Sequence, residues 1–238
     1  MRVIFSVVLA ALFIVAVTEP GASNDTARHA RNTDQAIHNG DEIHFDVYRN
    51  GTRVGFHRVR FQEGDKGLAV EAQFQIQVTF LGITVYRYRY DSRALWTDGS
   101  LSAIRTTVDD DGVVLEVQAR RIGKRIYVAA GDIAYETSSP LFPTNHWNAG
   151  VLGQNRVLNT LTGQINKVRI EASGPDRVET EHGPVAATHY AYTGDLQTDV
   201  WYDAAGRWVK MRFQGRDGSL IDYVCRQCQG GPGKRTSG

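Results

Sequence analysis

The chain has 238 residues, 42% hydrophobic and 22% charged, the balance of a folded globular protein rather than a disordered one. Its formal net charge of +1 leaves no global field to draw in nucleic acid or an anionic membrane surface. The length admits one large all-β domain or two small ones.

The N-terminus reads as a targeting signal. Arg2 is a minimal basic start, Val3 to Val17 is apolar apart from Ser6, and Thr18-Glu19-Pro20 ends the run. That run is shorter than the ~20 residues of a spanning helix and leads into the small residues Gly21-Ala22-Ser23. Residues 1–22 are therefore expected to be a cleaved secretory signal peptide. No cysteine stands there to carry a lipid. Residues 23–40 are polar and are expected to form a flexible leader. The glycine-rich tail, 229–238, is expected to be disordered. The expected product is a periplasmic or secreted protein with no transmembrane span after cleavage.

Between these ends, residues 41–228 are expected to form a single all-β domain. Ile43, Phe45 and Val47 alternate with His44 and Asp46 up to Asn50-Gly51, a strong hairpin signal. The return strand, Arg53 to Phe61, carries Gly55, which suggests a bulge because Val54 and Phe56 are out of phase with Val59 and Phe61. Leu68 to Phe80 alternates without interruption: Leu68, Val70, Ala72, Phe74, Ile76 and Val78 take one face. So long a strand suits a strongly curved sheet or a barrel wall. After Leu81-Gly82, Ile83 to Trp96 places Tyr86, Tyr88, Tyr90 and Trp96 on one face and Arg87, Arg89 and Arg93 on the other.

Further strands follow at turns such as Asp98-Gly99, Gly123 and Gly131. Ser138 to Asn148 has no clear period, and long irregular segments in compact domains are often functional. Strands resume near Val157, with turns expected at Gly174-Pro175, Gly183-Pro184 and Gly194-Asp195. Asp199 to Tyr223 reads as three strands and two tight turns, a closing seam in which Trp201 and Trp208 face each other. The expected fold is a large antiparallel meander of ~12–14 strands forming a curved sheet, an open or closed β-barrel.

Several stretches carry a resemblance in their order and spacing. They are Asp46-Val47-Tyr48 with Val54-Gly55-Phe56-His57, Leu95 to Gly99, Trp147-Asn148, Leu158 to Gly163, Trp201-Tyr202-Asp203 with Gly206-Arg207-Trp208, and Asp217-Gly218-Ser219 with Tyr223. Together they resemble an uncharacterised exported bacterial family, domain of unknown function 6134, over nearly all of Ile43 to Val224. The resemblance implies an exported all-β architecture and no particular activity.

The candidate chemistry is sparse. Cys225 and Cys228 form a CxxC that can close a small disulfide in an oxidising compartment. A redox role lacks its βαβ context, and a zinc site lacks two further ligands in the sequence pattern. His146, beside Trp147 and Asn148, is the best placed acid–base group, but the structural reading is the stronger, with Trp147 as a plug for one end of the barrel and Asn148 as a loop hydrogen bonder. Asp98, Asp203 and Asp217 all stand at glycine-bearing turns, where aspartate serves the backbone. No cofactor or metal is called for. The Tyr86-Tyr88-Tyr90-Trp96 stripe is the main binding feature, and it reads equally as solid core or as an outer face interleaved with arginine stems. Where it lines a cavity, the ligand site is expected to comprise Phe74, Ile76, Val78, Tyr86, Tyr88, Tyr90 and Trp96, with His146, Trp147 and Asn148. The leading expectation is a binding or carrier module for an apolar or lipid-like molecule. The alternatives are an envelope scaffold or assembly factor with a protein partner, and a hydrolase of an envelope glycan or ester.

Overall fold

The computed structural model describes residues 40–230. The expected signal peptide, the leader up to residue 39 and the tail from residue 231 lie outside the described residues. Alternation and glycine turns produce eight strands in succession: β1 (Glu42–Arg49), β2 (Thr52–Gly64), β3 (Gly67–Phe80), β4 (Ile83–Thr97), β5 (Ser100–Asp110), β6 (Val113–Ile122), β7 (Arg125–Ala130) and β8 (Ile133–Ser138). An irregular segment follows, holding β9 (Phe142–Pro143), a 3-10 turn (Ala149–Gly153) and β10 (Arg156–Leu158). The chain finishes with β11 (Ile165–Thr180), β12 (Gly183–Gly194), β13 (Thr198–Asp203), β14 (Trp208–Gln214) and β15 (Leu220–Gln227). The count is fifteen, above the sequence reading, because β9 and β10 have two and three residues and are too short to show a period.

All fifteen strands belong to one sheet, in the order β8-β7-β6-β5-β4-β3-β2-β1-β15-β14-β13-β12-β11-β10-β9. Every ladder is antiparallel except β9 with β10. The first and last strands meet in the middle of the sheet, where β1 pairs with β15. The free edges are β8 and β9, which the irregular segment separates in sequence. No backbone ladder closes the sheet, so the barrel is open. Side chains bridge the gap instead. Arg156 of β10 donates to Thr137 Oγ1 and Ser138 Oγ of β8, each at 2.7 Å. Tyr135 donates to the Gly163 carbonyl at 2.6 Å. No helix among the described residues is long and apolar enough to cross a membrane.

Two backbone details follow from glycines that the sequence places inside strands. The register of β1 against β2 slips between Val47 and Tyr48, opposite Gly55, as the phase change suggested. A Cβ at Gly55 would lie 1.7 Å from the Gln75 carbonyl oxygen, so only glycine lets β2 and β3 approach there. Gly174-Pro175, in contrast, is not a turn. It lies inside β11 at a register slip between Ala172 and Gly174. Past Lys167, β11 has a ladder neighbour on the β12 side alone, so a proline without an N–H leaves no bond unmade on the other.

The last meander also differs from expectation at one pair. Trp201 opposes Lys210, whose ammonium sits 4.5 Å from the indole centroid, and it stacks on His189 at 4.4 Å. Trp208 opposes Tyr202 and is fully buried against Phe45. A register slip between Trp201 and Tyr202 puts the two tryptophans on different faces.

The core is dense at the end of the barrel that the irregular segment enters. Trp147 is 1% exposed and packs edge-on against Phe61 and Trp96, with ring centroids 5.1 and 5.4 Å away. Asn148 caps the 3-10 turn, its Oδ1 accepting the Gly150 N–H at 2.9 Å.

Candidate functional site: a half-open cavity with a polar floor

Inward-facing residues do not fill the other end of the barrel. They enclose a cavity of about 760 Å³, within the ~300–1,000 Å³ usual for small-molecule sites. Its position follows from β4. Tyr86 stands near the mouth, Tyr88 on the wall and Tyr90 at the floor, and Trp96 lies beyond the floor in the packed end. Phe74, Ile76 and Val78 of β3 line the cavity beside them. Met211 and Phe213 of β14, with Ile221 and Tyr223 of β15, form the facing wall.

Of the residues expected at a ligand site, the structure brings Phe74, Ile76, Val78, Tyr86, Tyr88, Tyr90 and His146 together around this space. Trp96, Trp147 and Asn148 do not reach it. The first two are 2% and 1% exposed in the packed end, and Asn148 is committed to its capping bond. The correction has a simple cause. Trp147 and Asn148 follow His146 directly, but they turn toward the packed end while His146 turns toward the cavity.

The floor contains groups that sequence reasoning passed over. His57 takes the inward place of β2 that Val59 takes two residues later, opposite Phe45 and Phe74 in the neighbouring strands. Its ring packs against Phe74, Trp208 and Tyr223. His146 packs against Tyr192 and the same Trp208, with centroids 5.5 and 5.9 Å away. Burial pushes His57 down to about 3, with a smaller contribution from the neighbouring His146. Burial alone takes His146 down to about 4. Both rings are therefore neutral at physiological pH, each with one N–H donor and one bare nitrogen.

A network of neutral groups holds the floor in shape. The Tyr90 hydroxyl lies 3.0 Å from both Asn145 Oδ1 and Thr160 Oγ1. Thr160 Oγ1 is 3.0 Å from Thr144 Oγ1, which also accepts the Thr160 N–H. His146 itself has a left-handed backbone, φ +55°, a conformation costing a non-glycine residue roughly 1–2 kcal/mol. The Tyr202 hydroxyl donates to its carbonyl at 2.6 Å and helps hold it there. The signal for His57 is its phase, in step with Val59 and Phe61. Asn145 lies in the irregular segment that the sequence marks, but nothing local couples it to Thr160, since the two come from loops that meet only in the fold.

Charge is confined to the mouth. Asp110 accepts from Tyr86 at 2.7 Å and from Arg216 at 3.0 Å, and Arg49 pairs with Asp217. Burial and the Asp110 carboxylate raise the Tyr86 hydroxyl to about 12, so it stays protonated. The three aspartates at glycine-bearing turns stand where their sequence positions suggest. Asp203 holds Arg207 and the Ala205 N–H, Asp217 holds Ser219 and Arg49, and Asp98 sits at a left-handed turn position. Cys225 and Cys228 are joined as a disulfide away from the cavity. Glu181 Oε1 accepts the Cys228 and Gln229 N–H groups there, and Oε2 lies 3.0 Å from Cys225 Sγ. With both sulfurs bridged, this cluster has no thiolate to offer a metal.

Comparison with known proteins adds one finding. The family model described as Domain of unknown function (DUF6134) matches residues 45–226. None of the curated proteins matches the chain.

Proposed function

The chain belongs to the DUF6134 family, and from that premise we propose that it is a binding or carrier module for an apolar or lipid-like small molecule. The observation that carries this reading is the cavity of about 760 Å³. Tyrosine, phenylalanine and aliphatic side chains wall it, while the charged pairs stay at its mouth. A solid protein core has no such void, because interiors pack to crystal-like density and voids larger than a water are few. The apolar run Val3 to Val17 supports export, so the reading includes a periplasmic or secreted location.

The test is direct. The neutral fluorophore N-phenyl-1-naphthylamine brightens when it leaves water. Titrating it into the mature protein is expected to give saturable enhancement with one site per chain. Ile76→Arg, which puts a charge on the cavity wall, is expected to abolish the enhancement while leaving the far-ultraviolet circular dichroism of the sheet unchanged. A folded wild-type chain that gives no saturable signal would falsify the reading.

A further inference from the structure

We propose that the cavity selects an apolar molecule ending in a neutral O–H group, bound tip-first against His57, His146 and Asn145. This rests on reading the cavity as a binding site. It adds which end of the ligand enters and what that end must be.

The argument starts from polar atoms without partners. Both ring nitrogens of His57, Nδ1 of His146 and Nδ2 of Asn145 are buried and make no hydrogen bond in the structure. The three residues are 8%, 6% and 3% exposed, and all three line the cavity. A buried polar atom left unpaired is destabilising, and several in one place mark a site awaiting a partner. The Asn145 amide is oriented by Tyr90, which occupies Oδ1 and leaves the NH₂ end uncommitted. That end has donors and no acceptor. His57, being neutral, has one donor and one acceptor. The floor thus offers both kinds of group, and no formal charge.

An ion fits this floor badly. A carboxylate or ammonium would lose its hydration against neutral groups and gain no opposite charge. A pure hydrocarbon fits badly too, since it would leave the same polar atoms unpaired. An ether or ester oxygen can accept from Asn145 but cannot donate to the bare His57 nitrogen. An O–H does both. Its oxygen takes the Asn145 N–H while its hydrogen goes to His57. The walls above, from Phe74 and Ile76 to Met211 and Phe213, then receive the apolar body. Alcohols and protonated carboxylic acids share this O–H.

The experiment displaces bound N-phenyl-1-naphthylamine with 1-decanol and with its isomer 1-methoxynonane. The two have the same atoms, and the ether is the more hydrophobic. The alcohol is expected to compete at least tenfold better, a difference of ~1.4 kcal/mol. His57→Leu is expected to erase the preference, and His57→Gln, which can donate and accept, to restore part of it. Decanoic acid, ionised at neutral pH, is expected to compete more weakly than 1-decanol, and stronger competition by the carboxylate overturns a neutral tip. Equal competition by alcohol and ether in the wild-type chain overturns the inference and leaves the binding reading intact. Failure to bind the fluorophore at all overturns both. The wild-type comparison of isomers decides the matter even if a variant does not fold.

Discussion

The two ends of this barrel are built from the same strands and have opposite interiors. At one end Phe61, Trp96 and Trp147 lock together with ring centroids 5.1–5.4 Å apart. At the other, Tyr86, Tyr88 and Phe213 face inward onto empty space. β4 runs from one condition to the other without any break in its alternation. The difference lies in what enters from outside the sheet. The segment from Ser139 to Gln164 puts Leu141, Trp147 and Val151 into one end, each no more than 2% exposed. Nothing among the described residues does the same for the other end. A period of two therefore says which way a side chain faces and leaves open whether anything meets it there.

Acidification should expose the contrast most strongly. His57 and His146 have folded values of about 3 and about 4, below the ~6.5 of an exposed histidine. Below pH 6.5 the unfolded chain therefore binds protons that the folded chain refuses. Their contribution to stability is complete above that pH and is lost as the pH falls from 6.5 toward 4. Each histidine is expected to cost up to ~1.4 kcal/mol per pH unit in that window. Urea unfolding from pH 7 to pH 4 measures the slope, and His57→Leu should remove about half of it. A flat profile would mean that the floor is wetter than its packing implies.

Truncation should separate the two ends next. Trp147→Ala opens a closed void in the packed end and is expected to cost ~3–5 kcal/mol in the urea midpoint. Tyr88→Ala only widens a space that already reaches solvent, so ~1 kcal/mol is expected. Its larger effect should be on N-phenyl-1-naphthylamine, whose affinity should fall severalfold. Similar stability losses for the two variants would erase the distinction between core and cavity.

Much of the architecture was legible because strand alternation and glycine turns are local. The Asn50-Gly51 hairpin, the slip at Gly55 and the face shared by Tyr86, Tyr88 and Tyr90 can all be read within a dozen residues. The site was legible only as a wall. Its floor depends on loops that contribute Asn145 and Thr160, more than fifty residues away from Tyr90. In the sequence His57 shows only as one polar residue in a strand, since facing the core and facing a cavity leave the same trace. Gly174-Pro175 misled for the opposite reason. A pair that ordinarily ends a strand is tolerated within one where the neighbouring edge is free.

The gap between the β8 and β9 edges has a mechanical meaning. In the sheet order β1 is the eighth strand from either edge, so the ladder that joins the first and last strands lies opposite the gap. The connection across it is made of side chains, those of Arg156 and Tyr135. Such a wall has the form of a split ring: opening along that line would cost those side-chain hydrogen bonds and no ladder bond, and the line lies opposite the joined first and last strands.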